Sequence, residues 1–301
     1  MFLIIFEKNC YTNCLLCCAF YLLLVLFNET FYSYKLLKSD GGLIMVRLSR
    51  RKFLLMMSGV AVTSVVYSFV EPYFFEINEV NIPLGLNLRV LHVTDFHVKD
   101  WGFRDEIFKV ISDFSSNVDV TFITGDFYDK YTRTLELVKN YVSKIKGVKI
   151  GVLGNHEYWA ADVHPLESGI KALEDSGVKI LRNEKIKLKG VFIGGIDWYH
   201  DENGLGKLYL SEIGDVDILL SHTPDVIALK PKVKLILAGH THGGQVCLPF
   251  IGPLWTPSKY GTKYASGLFK DENVYMYVNK GVGEIIPVRF NCKREIALLN
   301  L

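Results

Sequence analysis

Apolar residues are distributed along the chain in two regimes. From residue 9 to 28 and again from 53 to 70 they run on without a single charged residue. Each of these stretches is long enough to cross a hydrocarbon core as a helix. From Phe74 onward the runs shorten, and brief apolar segments alternate with amphipathic ones. FFEINEVNI (74–82) alternates as an edge strand does, and Leu88–Thr94 reads as a short buried strand. In FRDEIFKVISDF, Phe103, Ile107, Val110, Ile111 and Phe114 share one helical face. The pattern then recurs as a strand at 119–124, a helix at 132–146, a strand at 148–154 and a helix at 165–176. A β-rich stretch covers 179–197. Two more buried strands, 215–222 and 233–240, flank a short helical connection at 224–230. The remainder is β-rich, with VYMYVN and REIALLNL. Alternating strand and helix predicts an α/β fold with a largely parallel or mixed sheet covered by helices.

Composition changes this picture little. At 301 residues the chain can bury one large core with short appendages. A formal charge of +2 gives no basic excess for a nucleic-acid surface, so nucleic acid is not an expected partner. Cys10, Cys14, Cys17 and Cys18 cluster near the start, leaving Cys247 and Cys292 for the rest, which excludes a disulfide scaffold. Cys14 and Cys17 have a redox or metal spacing, but they sit in an uncharged apolar run with no partner pair.

The amino-terminal region has the order of a targeting segment. Arg47, Arg50, Arg51 and Lys52 precede the uncharged run 53–70, and the string SRRKFL resembles the twin-arginine export signal. Residues 45–71 therefore read as a signal or anchor helix engaging the twin-arginine export machinery. No small-residue cleavage site follows, which favours an uncleaved anchor. Met45 stands where a start codon would, so residues 1–44 read as an upstream extension of the reading frame. The alternative is a genuine first transmembrane helix. Either way the basic residues stay cytoplasmic, and the domain at 72–301 is expected at the cell membrane on its extracytoplasmic side.

Chemistry concentrates at the strand ends. The first buried strand ends in Asp95-Phe-His97, the second in Gly125-Asp126-Phe-Tyr-Asp129 and the third in Gly154-Asn155-His156-Glu157. Later strands end in Ser221-His222 and Gly239-His240-Thr-His242, and the latter runs on as GGQ. In open α/β sheets, ligands gather at the carboxyl edge of the strands. Individually, Asp95 suits a helix cap, Asp126 a turn, Asn155 a left-handed position and His222 a satisfied core histidine. Five such coincidences at five strand ends are a poor account. His92, within a strand, reads as packing, and His164 and His200 fall in loops and are not assigned to the site.

The blocks DFH, GDFYD, GNHE, SH and GHTH, in that order, resemble the signature of the calcineurin-like metallophosphoesterases. GHTHGGQ, KYASGLF and KGVGEIIPVRF look most like the bacterial branch whose members are membrane-anchored or exported by the twin-arginine route. The resemblance covers about residues 85–301 and implies a four-layer fold, a mixed β-sandwich flanked by helices. It implies two divalent metal ions (Mn, Fe or Zn), one held by Asp95, His97, Asp126 and His242. Asp126, Asn155, His222 and His240 would hold the other, with Asp126 bridging. The implied reaction is hydrolysis of a phosphodiester or pyrophosphate by attack of a metal-bridging hydroxide. His156 would stabilise charge or protonate the leaving oxygen, and Asp129 would orient His156. Carboxylate, amide and imidazole donors without thiolate suit such open sites. Other readings are a phosphomonoesterase, a lipid-linked sugar-nucleotide pyrophosphatase, or a membrane-tethered metal-binding protein without catalysis. No block requires a thiolate, so Cys247 and Cys292 read as structural. Trp255, Lys259 and Lys263 follow the last block and could meet a lipid-linked phosphate ester, or simply form a covering loop; no substrate-binding residue is assigned.

Overall fold

The computed structural model describes residues 50–100, 104–199 and 204–301. The apolar run 9–28, the four early cysteines, Met45, Arg47, Ser49, Phe103 and His200 lie outside those residues. The chain divides into two compact units at Tyr67/Ser68. Helix α1 (Arg50–Val70), which runs through that boundary, carries no charge beyond Lys52 and buries none of its residues.

Two six-stranded mixed sheets make up the second unit. The first holds β1 (Phe75–Asn81), β2 (Arg89–Val93), β3 (Val120–Thr124), β4 (Lys149–Val152), β5 (Val178–Ile180) and β14 (Arg294–Asn300), in the order β1-β14-β2-β3-β4-β5. Strands β2 to β5 run parallel, while β14 pairs antiparallel to β2 and parallel to β1. The second sheet holds β6 (Glu184–Leu188), β7 (Val191–Gly195), β8 (Ile218–Leu220), β9 (Leu235–Ala238), β12 (Gly267–Asp271) and β13 (Val274–Val278), in the order β12-β13-β9-β8-β7-β6. Strands β7, β8, β9 and β13 are parallel, and the two outer strands antiparallel. Between β9 and β12 in sequence, β10 (Cys247–Leu248) and β11 (Gly252–Pro253) form a small hairpin.

Side-chain alternation fixes the register. Leu235 and Leu237 of β9 join a cluster with Val90, Phe122, Ile150, Ile193 and Ile218, drawn from both sheets. Ile236 and Ala238 face the other way, toward Ile196, Ile213, Leu219 and Val226. On β2, Leu91 and Val93 pack instead with Ile107, Phe108 and Ile111 of helix α2 (Arg104–Ser115). A slip of one residue would exchange these faces throughout. Each such buried side chain contributes about 1.5–3 kcal/mol, so the register is strongly specified. The remaining helices are α3 (Leu135–Val142), α4 (Asn155–Trp159), α5 (Leu166–Asp175) and α6 (Leu205–Ile213). The result is a mixed α/β fold whose sheets are flanked by helices.

Several boundaries differ from the expectations. The helix expected over 132–146 is the shorter α3, started by Thr134, whose side chain accepts a hydrogen bond from Leu137 N. Residues 224–229 form a 3-10 turn ended by Lys230 at φ +49°. Helix α6 has no counterpart in the sequence reading. It is punctuated by left-handed Gly204 and Gly214 (φ +69° and +66°) rather than by a capping side chain.

One buried ion network ties β14 to the loop before it. Glu284 accepts hydrogen bonds from Arg289 Nε at 3.0 Å and from Arg294 Nη2 at 2.6 Å, and all three residues are buried. Arg289 also donates to the carbonyls of Lys280, Gly283 and Cys292, so its charge is fully partnered. Burial opposes ionisation of Glu284, but Arg289 and Arg294 outweigh it and hold the carboxyl down to about 2 from an ordinary 4.5. A depressed carboxylate stabilises the fold above its ordinary value, and that contribution is lost as pH falls toward the folded value. Acid titration of the wild type followed by circular dichroism should show stability falling between pH 4.5 and about 2, by on the order of 3 kcal/mol. Glu284→Gln should remove the share of that slope that Glu284 contributes.

Candidate metal centre

The parallel strands of both sheets end at one place. From β2 come Asp95 and His97, from β3 Asp126, and from β4, through the start of α4, Asn155 and His156. From β8 and β9 come His222, His240 and His242. One ligand atom each from Asp95, His97, Asp126 and His242 lies within 4.8 Å of the others, and the same holds for Asp126, His222 and His240. Asp126 belongs to both groups. Asn155 joins the second, its Oδ1 being 2.9 Å from His222 Nε2.

Backbone geometry at the site is unusual for these residue types. Asp95, His97, Asp126, His240 and His242 all have positive φ, between +41° and +71°. Each costs about 1–3 kcal/mol and persists only where surrounding structure imposes it. Glycines make room for the crowding. A Cβ on Gly154 would lie 2.2 Å from Asp126 Oδ1, and one on Gly239 2.6 Å from Asp95 Oδ2.

Hydrogen-bond bookkeeping then tests whether a cation fits. His222 Nδ1 is 2.7 Å from the Thr124 carbonyl, which only an N–H can face, so the neutral ring turns its Nε2 lone pair inward. There it meets Asn155 Oδ1 at 2.9 Å, His240 Nδ1 at 3.1 Å and Asp126 Oδ2 at 3.3 Å. His242 Nδ1 likewise faces the Gly283 carbonyl at 3.1 Å, and His97 Nδ1 faces Asp129 Oδ2 at 3.1 Å. Their Nε2 atoms are therefore both acceptors, 3.3 Å apart, with Asp126 Oδ2 3.5 Å from His97 and Asp95 Oδ1 3.6 Å from His242. Acceptors converging on acceptors in a buried site require positive charge between them. A proton supplies some of it. Burial disfavours the charged imidazole, yet Asp126 outweighs burial and raises His222 to about 9. Burial pushes Asp95 up to about 6 and His240 down to about 3. A metal ion accommodates more of these lone pairs than a proton can, so the donor set fits a cation in each group.

The supporting residues correct one expectation. Asp129, expected to orient His156, makes its side-chain hydrogen bond to a different histidine, His97. Its Oδ2 is shared by His97 Nδ1 and Lys99 Nζ (3.2 Å), and its Oδ1 accepts from Tyr131 N. The carboxylate thus fixes the tautomer of His97, as carboxylates behind metal-bound imidazoles do. Asp129→Asn should weaken metal affinity by about 10–100-fold, measured by competition with a chelating indicator. His156 is placed by its backbone N–H, which donates to Asp126 Oδ1 at 2.9 Å. Its ring lies edge-on between His97 and Trp159, with centroids 4.8 and 4.9 Å away, and burial lowers its pKa to about 4.

Sequence reasoning missed other contributors. Glu157, fully buried, accepts from the backbone N–H groups of Asp126, Tyr128 and Gly154, clamping two ligand loops together. Lys99 is 1% exposed and also donates to the Glu284 and Ile285 carbonyls. Trp198 packs against His222 and His240. Glu157 had a signal, as the acidic end of GNHE; the other two had none. Cys292 Sγ contacts the His242 carbonyl at 3.3 Å and Cys247 Sγ the Gly243 carbonyl at 3.2 Å. His92 is buried in β2 with Nε2 3.0 Å from Thr124 Oγ1, and His164 bonds the Thr132 carbonyl.

Residues 88–244 match the calcineurin-like phosphoesterase family, and the chain belongs to that family, a metal-dependent phosphoester hydrolase. Among individual proteins it is 28% identical to the uncharacterized metallophosphoesterase YkuE of Bacillus subtilis, over 85% of this chain and 99% of that one. It is 30% identical to a transmembrane protein with metallophosphoesterase domain from Danio rerio, over 73% of this chain and 55% of that one. A shorter match, 36% identity over 28% of this chain and 32% of the other, is to phosphodiesterase YaeI of Escherichia coli.

Proposed function

We propose that this chain is a membrane-anchored phosphoesterase that binds two divalent metal ions and hydrolyses a phosphodiester or pyrophosphate bond. One observation carries the reading: two groups of inward-facing acceptors share Asp126. In this reading Asp95, His97, Asp126 and His242 hold one ion, and Asp126, Asn155, His222 and His240 the other. When bound, such a pair supplies Lewis acidity and brings coordinated water near a neutral pKa. The chain's own residues do the rest. Asp129 and the Gly283 carbonyl hold His97 and His242 in the ligating tautomer. His156, beside Asp126 and outside both groups, faces the cleft lined by Trp159, Trp255 and Ile285, where the ester binds. There its ring can donate a hydrogen bond to the leaving oxygen.

The test is an assay of the purified full chain, loaded with Mn, against a bis-aryl phosphodiester, an aryl phosphomonoester and a lipid-linked pyrophosphate. Turnover of the diester or the pyrophosphate above the monoester supports the reading. Two equivalents of retained metal with no turnover of any substrate would make the chain a tethered metal-binding protein.

The anchor belongs to the same proposal. Phe53–Val70 is uncharged and rises roughly 27 Å as a helix, enough to cross the bilayer. Arg50, Arg51 and Lys52 precede it, which favours a cytoplasmic start, export by the twin-arginine route and an extracytoplasmic domain. Replacing Arg50 and Arg51 by lysine should slow export, so protease added to spheroplasts should digest the wild-type domain and spare the variant. Equal protection of both would place the domain inside.

A further inference from the structure

The hairpin β10–β11 joins the metal centre to an apolar surface that the fold leaves uncovered. Phe250 and Ile251 at its tip are 75% and 71% exposed, Leu254 and Trp255 just after it 57% and 70%, and the adjacent Ile286 64%. Large apolar side chains grouped on one projecting element mark a contact surface. The hairpin is not a loose loop. Leu254 N donates to the Val246 carbonyl and Cys247 N to the Phe290 carbonyl, while Gln245 Nε2 holds the carbonyls of Ile286 and Val288. A Cβ on Gly244 would meet Pro253 Cβ at 2.6 Å and the Trp255 carbonyl at 2.9 Å, so the hairpin is seated directly on the GHTHGG turn.

The point where the chain joins this domain lies next to it. Arg289 N donates to the Ser68 carbonyl, and Glu71 accepts from the backbone N–H groups of Asn291 and Cys292. The backbone of residues 289–292 therefore bonds Ser68–Glu71 on one side and, through Phe290, the hairpin on the other. Ser68–Val70 are the last residues of the uncharged helical run that starts at Phe53, and Glu71 follows them. The end of that run and the hairpin thus share the backbone of residues 289–292 within one compact unit. The chemistry suits a lipid surface: exposed Trp and Phe favour the bilayer interface, and Lys259 and Lys263 beyond the tip favour anionic headgroups.

We infer that Phe250, Ile251, Leu254, Trp255 and Ile286 bed in the same lipid surface that the proposed anchor enters. This rests on the proposed membrane anchoring, and it sets the mouth of the cleft, of which Trp255 is a wall, at headgroup level.

The experiment uses the full chain reconstituted in vesicles of phosphatidylcholine and phosphatidylglycerol whose acyl chains carry bromine. Part of the tryptophan emission should be quenched relative to unbrominated vesicles, and that part should vanish in Trp255→Phe. It should also vanish in Phe250→Asp/Ile251→Asp, which removes the apolar tip but touches no residue of the metal centre. The wild type and the Phe250→Asp/Ile251→Asp variant should hydrolyse a soluble bis-aryl phosphodiester at the same rate. Unquenched Trp255 in an active, vesicle-bound protein overturns the inference and leaves the phosphoesterase reading standing. An inactive wild type with quenched Trp255 does the reverse. Self-association in detergent that the Phe250→Asp/Ile251→Asp variant abolishes, without quenching in vesicles, assigns the surface to a second copy of the chain and also overturns it.

Discussion

Asp126→Asn should abolish metal retention and turnover together, with activity falling about 10³-fold or more. The expectation comes from position rather than from residue type. Asp126 is the one residue common to both ligand groups, and its Oδ2 lies 3.5 Å from His97 Nε2 and 3.3 Å from His222 Nε2. An amide there keeps the volume but brings an N–H₂ toward imidazole lone pairs or a neutral oxygen in place of a charged one. Burial opposes ionisation of this carboxyl, yet His222, His156 and His97 hold it well below the ordinary range, so it stands as a negative charge among them. Removing it leaves His222 without its main counter-charge. Elemental analysis of the purified variant should find well under two metal equivalents. Two full equivalents in an inactive Asp126→Asn protein would mean that the carboxylate acts in the reaction and not in holding the ions.

What could be read from the chain was whatever is decided locally. The strands that carry ligand blocks announce themselves by short, largely apolar runs, so DFH, GDFYD, GNHE, SH and GHTH could be placed at strand carboxyl ends from the sequence alone. Their convergence in space follows from parallel strands, whose carboxyl ends share one side. The partner of Asp129 could not be read. Three residues separate it from Asp126, and its direction depends on the left-handed backbone at Asp126 and the turn closed by Thr132. Spacing alone therefore left His156 and His97 equally eligible. Helix α6 escaped for a similar reason, since its limits are set by the backbone of two glycines. The Glu284–Arg289–Arg294 network and Lys99 were illegible because long charged side chains read as solvated until the fold buries them.

His156→Ala should give the opposite pattern to Asp126→Asn: metal retained, turnover reduced about 10²–10⁴-fold. Its backbone N–H makes the bond to Asp126 Oδ1, and that bond survives the substitution. No ring atom of His156 belongs to either ligand group, so truncation takes nothing from the ions. What it removes is, among the described residues, the one imidazole that borders the cleft without being committed to the proposed ions or to a carbonyl behind them. A group that acts on the leaving oxygen contributes mainly in the transition state, so kcat should fall while KM stays nearly constant. His156→Gln, which restores an N–H donor at similar reach, should recover part of the loss; a group that merely filled space would show no such recovery. The effect should also be smaller for a diester with a good aryl leaving group than for one with an alkyl group, because the better leaving group needs less help. Loss of metal from His156→Ala would move this histidine into the ligand set, and equal losses on aryl and alkyl esters would separate it from the leaving oxygen.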